Sequence, residues 1–192
     1  ALGVPEAVPI LVHSGALVAD RGVLQIFEAF AQITTQAHLV FLGSGPEAET
    51  LLFQINESGL SGRVHLLPPV NPDEVSNTLA GADIGLCTIP RGFLSYEYCL
   101  PNKLFEYLQA GLALIVSDLP EMSRFVREKK VGVTYFPGNL ASLIQAMRLL
   151  LEDVGLRNRF SRQSQELRQE VCWEQESRGY LSIYQSFDQG AE

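Results

Sequence analysis

Short apolar runs alternate along the chain with stretches whose apolar positions recur every three or four residues. The run ILVH (residues 10–13) precedes RGVLQIFEAFAQI, in which Val23, Ile26, Phe27 and Phe30 share one helical face. HLVFLG (38–43) precedes the helical pattern PEAETLLFQINES, and RVHLL (63–67) precedes a helix opening at Asn71. There Asn71, Pro72 and Glu74 read as N-cap, first-turn proline and capping-box acid. A fourth strand, DIGLCTI (83–89), leads through a Gly-, Pro- and Ser-bearing loop into NKLFEYLQAG, a helix that stops at Gly111. A fifth strand is predicted at ALIVS (113–117), then a short helix from Glu121, a sixth strand at GVTYF (132–136) and a helix capped by Asn139. This alternation predicts an α/β fold: a Rossmann-like, doubly wound parallel sheet of about six strands.

From Val154 onward strand signals cease, and extra C-terminal helices are expected over 154–192. The opening ALGVPEAVP, with two prolines and no initiator Met, reads as a linker over 1–9 from a missing N-terminal domain. One domain, 1–192, is therefore expected to be a piece of a longer protein.

Composition narrows the functions open to such a sheet. With 14 Lys and Arg against 22 Asp and Glu, the formal charge is −8, which repels a polyphosphate backbone and argues against nucleic acid as a partner. The three cysteines, Cys87, Cys99 and Cys172, are odd in number and not spaced as CxxC, so a reducing, cytoplasmic compartment fits best. No run approaches the ~18 apolar residues of a membrane span, so no direct membrane anchor is expected. His13, His38 and His65 lie on different strands with no Asp, Glu or Cys at ligand spacing, so no metal site is expected and they read as satisfied core or strand-end histidines.

Ligands of doubly wound sheets sit beyond the carboxyl ends of the strands, so the loops there carry the candidate chemistry. GSGPEA (43–48) satisfies GxGxxG/A after a strand, the context of a dinucleotide site. The next strand, however, ends in Leu66, Leu67 and Pro68 instead of an acid for the ribose, and Pro46 removes an amide. A tight turn that lets something approach the backbone is the alternative. The first loop combines Ser14, Gly15 and Arg21 before a helix, where amides and a guanidinium suit a phosphate. In the fourth loop and its helix, Asn102 and Glu106 share a face while Leu104 and Leu108 take the core stripe. Glu106 could accept hydrogen bonds from a ribose diol, or be a solvated helix residue.

The order of signals resembles the C-terminal half of a group 1 glycosyltransferase of the GT-B fold. SG…RG follows the first strand, VFLGSGPE the second, RVHLLPPVNPDEV runs through the third, and PNKLFEYLQAGLALIVSDLPEM through the fourth and fifth. The tail CWEQESRGYLSIY is similar to the helices that in this family cross back to the N-terminal domain. The resemblance implies a nucleotide-sugar donor domain whose acceptor-binding N-terminal domain is absent. It places Gly15 and Arg21 at the diphosphate, Leu66 and Leu67 at the base edge through their backbone, Asn102, Lys103 and Leu104 around the phosphates, and Glu106 on the ribose, with Ser14, Gly43, Glu97 and Tyr98 as further donor-binding residues. Arg21 and Lys103 are the implied catalytic pair, with no metal or other cofactor required.

Two positions depart from the family pattern. Ala16 stands where a second basic residue often follows the first-loop glycine, and eight residues before Glu106 stands Tyr98, with Glu97 one place off, where a sugar-binding glutamate is often found. The expected function is donor binding for transfer of a sugar, glucose as the first choice, from a UDP-sugar in envelope or exopolysaccharide biosynthesis. On its own the domain is expected to bind donor with little or no activity, and to reach the inner membrane only through its missing half. GDP- or ADP-sugars and an NAD-dependent oxidoreductase are the alternatives. A third is a partner-binding domain using an aromatic stripe of Trp173, Tyr180, Tyr184 and Phe187.

Overall fold

The computed structural model describes residues 3–5 and 7–188, so part of the expected 1–9 linker and the Phe187 side chain lie outside what is described. Six parallel strands, β1 (Ile10–Ser14), β2 (His38–Leu42), β3 (Val64–Leu67), β4 (Ile84–Cys87), β5 (Ala113–Ser117) and β6 (Gly132–Tyr135), form one sheet in the order β3-β2-β1-β4-β5-β6. The order reverses between β1 and β4, and this switch point is where a doubly wound sheet opens its crevice.

Because successive strand residues face opposite sides, each strand feeds two cores. Leu11, Leu39, Phe41, Ile84 and Ile115 pack under α1 (Val23–Ala31), α2 (Ala48–Glu57) and α7 (Leu140–Glu152). Val12, Val40, Leu42, Leu114 and Val116 pack under α3 (Val75–Leu79), α5 (Asn102–Ala110), α6 (Pro120–Lys129) and α8 (Val154–Leu167). Helix ends follow local chemistry. Asn139 Oδ1 accepts the Ser142 amide at 2.9 Å, and the buried Arg157 donates from Nη1 to the Leu150 carbonyl at the end of α7. Gly111 ends α5 with φ 77°, a conformation that costs glycine little.

Three elements differ from expectation. The third helix opens with a 3-10 turn, Pro72–Glu74, and the Asn71 side chain bonds to Glu74 Oε2 instead of completing a capping box. The helix expected to be short from Glu121 runs ten residues from Pro120. The fourth loop contains a helix of one turn, α4 (Leu94–Glu97). The last helix, α9 (Trp173–Asp188), is tethered at its base by Gln109 Nε2, which donates to the Arg168 and Val171 carbonyls, and exposes Trp173, Tyr180, Leu181 and Tyr184. No helix among the described residues is long and apolar enough to cross a membrane.

Candidate functional site

The loops after β1 and β2 are locked together by backbone. The Gly15 amide donates to the Leu42 carbonyl, that of Leu17 to Ser44, and that of Glu47 to Leu17. A Cβ on Gly43 would lie 1.9 Å from the Gly15 carbonyl oxygen, and one on Gly45 2.3 Å from that of Leu17. The glycines of GSGPEA thus admit the chain's own first loop, and the place where a dinucleotide's pyrophosphate would lie against this turn is filled by residues 15–17. The tight-turn reading holds, and the dinucleotide cradle does not.

Two cavities open beside these loops and meet at Ser14, Gly15, Ala16 and Glu106. One, of about 340 Å3, is walled by Gly43, Ser44, Pro69, Val70 and Val75. The other, of about 460 Å3, is lined by Arg21, Tyr96, Cys99, Asn102 and Lys103. Helix α5 divides its work by face: Leu104, Tyr107 and Leu108 are buried in the core, while Asn102, Lys103 and Glu106 reach the cavities.

The second cavity gathers buried charge. The Lys103 Nζ is buried and has no hydrogen-bond partner, and burial holds its pKa below the ordinary lysine value. Burial raises the carboxyl pKa of Glu106, opposed by the Lys103 charge. Arg21 lies over the Tyr96 ring, 5.3 Å from its centroid, and its carbonyl accepts from the Thr88 hydroxyl. The first amides of α5 add the positive end of a helix. Together they present positive charge and amide donors suited to an anion, with a hydrogen-bond acceptor one helical turn away.

Several expected residues sit elsewhere. Leu66 packs on the core, and Leu67 belongs to β3, its carbonyl accepting from the Gly43 amide. The strand ends at Leu67, as the run RVHLL predicts, and Pro69 and Val70 beyond it wall the cavity in their place. Leu67 instead borders a separate apolar cavity of about 570 Å3, none of whose lining residues among those described is charged. Leu104 is fully buried and its amide donates to the Pro101 carbonyl, so neither its side chain nor its amide is offered to a ligand. Glu97 and Tyr98 line neither cavity; Tyr96 does. Each step along a helix turns by about 100°, so the single turn of α4 decides which of three consecutive residues faces inward, and no spacing in the sequence reveals it.

The histidines also differ from expectation. His13 is fully buried with neither ring nitrogen bonded, and burial, aided by Lys103, drives its pKa well below the usual value, so it is neutral. His38 Nδ1 and His65 Nε2 lie 2.8 Å apart, a pairing that only the β2–β3 register creates.

The family model for glycosyl transferases group 1 matches residues 1–167. The chain belongs to the group 1 glycosyltransferases. N-acetyl-alpha-D-glucosaminyl L-malate synthase from Bacillus anthracis is 25% identical over 95% of this chain and 46% of its own length. Among solved structures, sucrose-phosphate synthase from Thermosynechococcus elongatus superposes with a TM-score of 0.79 at 19% identity, over 99% of this chain and 48% of that one. Anabaena HepE in complex with UDP gives 0.71 at 19% identity, over 85% of this chain and 44% of that one. The fold is that of GT-B glycosyltransferase structures, and this group 1 chain spans less than half the length of the curated relatives it matches.

Proposed function

We propose that this chain is the donor-binding half of a glycosyltransferase whose donor is a UDP-sugar, with glucose the favoured sugar. The observation that carries the reading is the buried, unpartnered Lys103 ammonium, which shares a cavity with Arg21 and stands one helical turn from Glu106. A diphosphate would supply hydrogen-bond acceptors to that ammonium, and Glu106 would accept from the ribose hydroxyls, leaving the base for the Pro69–Val70 wall. Family membership and the solution of HepE with UDP-glucose support the choice of ligand.

In such a reaction the bond from the anomeric carbon to the diphosphate lengthens while the sugar becomes oxocarbenium-like, and negative charge grows on the leaving phosphate. Arg21, Lys103 and the α5 amides are placed to stabilise that charge, so we assign them the catalytic role and infer that binding needs no metal. The acceptor and any general base would come from the other half, leaving the isolated chain weakly active or inactive. The free thiols Cys87, Cys99 and Cys172 support a cytoplasmic setting, with envelope or exopolysaccharide synthesis as the proposed process.

Calorimetric titration with UDP, GDP, ADP and NAD, each with EDTA and again with magnesium, tests the reading. UDP is expected to bind selectively and equally under both conditions. Binding of NAD alone, or binding of UDP only with magnesium, would overturn it.

A further inference from the structure

At the switch point the β1–β4 ladder stops short. The two strands pair Leu11 with Ile84 and Val12 with Gly85, and no pair follows. One more step in that register would bring the Ser14 amide to the Leu86 carbonyl. The phenol of Tyr107 stands between them instead. It accepts from the Ser14 amide at 2.9 Å and from the Ser14 hydroxyl at 3.2 Å, and it donates to the Leu86 carbonyl at 3.2 Å. Its one proton and both lone pairs are therefore used, inside a fully buried residue.

The ring reaches this place because position 85 is glycine. A Cβ there would lie 2.5 Å from Tyr107 Cγ and Cδ2. Gly85 thus forms a notch in β4 through which a side chain of α5 enters the sheet plane. The neighbouring residue on that helix is Glu106, and the neighbour of the bonded amide is Gly15; both border the two cavities.

We propose that the Tyr107 hydroxyl is a positioning group, a wedge inserted into the sheet that fixes the first loop against α5 and so sets the spacing between Gly15 and Glu106. It touches no substrate itself. The consequence for nucleotide binding rests on the donor-site reading above, whereas the tether of loop to helix does not.

The test is Tyr107→Phe in the full chain, read in two ways. With the ring still in the Gly85 notch the strands stay apart, so the Ser14 amide loses its partner. Its hydrogen exchange, and that of Gly15, should accelerate at least ~10-fold while the β5 amides keep their rates. The UDP dissociation constant should rise by about 10-fold, the loss typical of one buried hydrogen bond. A ring that only filled space would be replaced by phenylalanine with neither effect. Unchanged exchange at Ser14 and Gly15 overturns the wedge. Faster exchange with unchanged UDP affinity overturns its positioning role. Failure of the unaltered chain to bind UDP counts against the donor reading, and the exchange measurement then decides the tether alone.

Discussion

A lysine ammonium taken out of water without a hydrogen-bond partner costs a folded protein several kcal/mol unless something completes it, and Lys103 is in that position, with the Glu106 charge acting on it only at a distance. Replacement by a shape-matched apolar residue should therefore have opposite effects on two observables. Lys103→Met is expected to raise the stability of the ligand-free chain by about 1 kcal/mol or more and to weaken UDP binding at least ~10-fold. Denaturant melts and calorimetry check both, and a variant that loses stability together with affinity would show that the ammonium has a structural partner. The pH dependence follows in sign. Since the pKa of Lys103 is lowered in the folded chain, the unfolded chain holds more protons between that value and 10.5. Stability therefore rises with pH across this window, where the penalty of the buried charge is relieved. UDP binding should show the reverse, weakening as Lys103 deprotonates, and Lys103→Met should remove that limb. Lys103 itself was legible only through the family resemblance carried by PNKLFEYLQAG; its missing hydrogen-bond partner was not, because that depends on which distant side chains arrive nearby.

At the scale of elements, what the sequence could reveal divides along local and non-local lines. The bounds of β5 match the apolar run ALIVS, and the Asn139 cap and the Gly111 stop lie where local chemistry demands them. By contrast, α4 selects Tyr96 by the angle of one turn. The glycines of the second turn lie between these cases. Their presence was plain, but the object they admit, the Gly15–Leu17 backbone, comes from a segment nearly thirty residues earlier. Backbone meeting backbone at 1.9 Å has no side chain to rotate away, so Gly43→Ala must displace the first loop. The expected loss is about 2–4 kcal/mol of stability together with much of the UDP affinity, although no side chain in either cavity has been removed. Gly62→Ala, where a Cβ meets nothing within 4 Å, is the control and should alter neither. If Gly43→Ala melts and binds as the parent does, the two loops are not coupled as described.

At the scale of the whole molecule, the two cores account for eight of the nine labelled helices, and α9 stands apart. Its apolar residues Trp173, Tyr180, Leu181, Ile183 and Tyr184 are 71%, 59%, 58%, 55% and 70% exposed, so the helix contributes little burial to this domain. The base of α9 is nevertheless fixed by Gln109 to the same α5 that carries Glu106, and α5, α6 and α9 enclose a broad cavity of about 1160 Å3 lined in part by Asn102 and Glu106. A partner seated on α9 would therefore also face the proposed donor site, as the proposed acceptor-binding half would. That geometry separates two roles for the aromatic stripe by experiment. Substituting both Trp173 and Tyr180 by alanine should leave the melting temperature of this chain within about 2 °C of the parent, because exposed side chains carry little stability. It should also weaken association with a separately produced N-terminal half by ~10-fold or more, since aromatic residues dominate such interfaces. Trp173 is the single tryptophan, so its emission should shift to the blue when the two halves are mixed. A large fall in melting temperature without any change in association would make α9 a support of this domain instead of a bridge to the other.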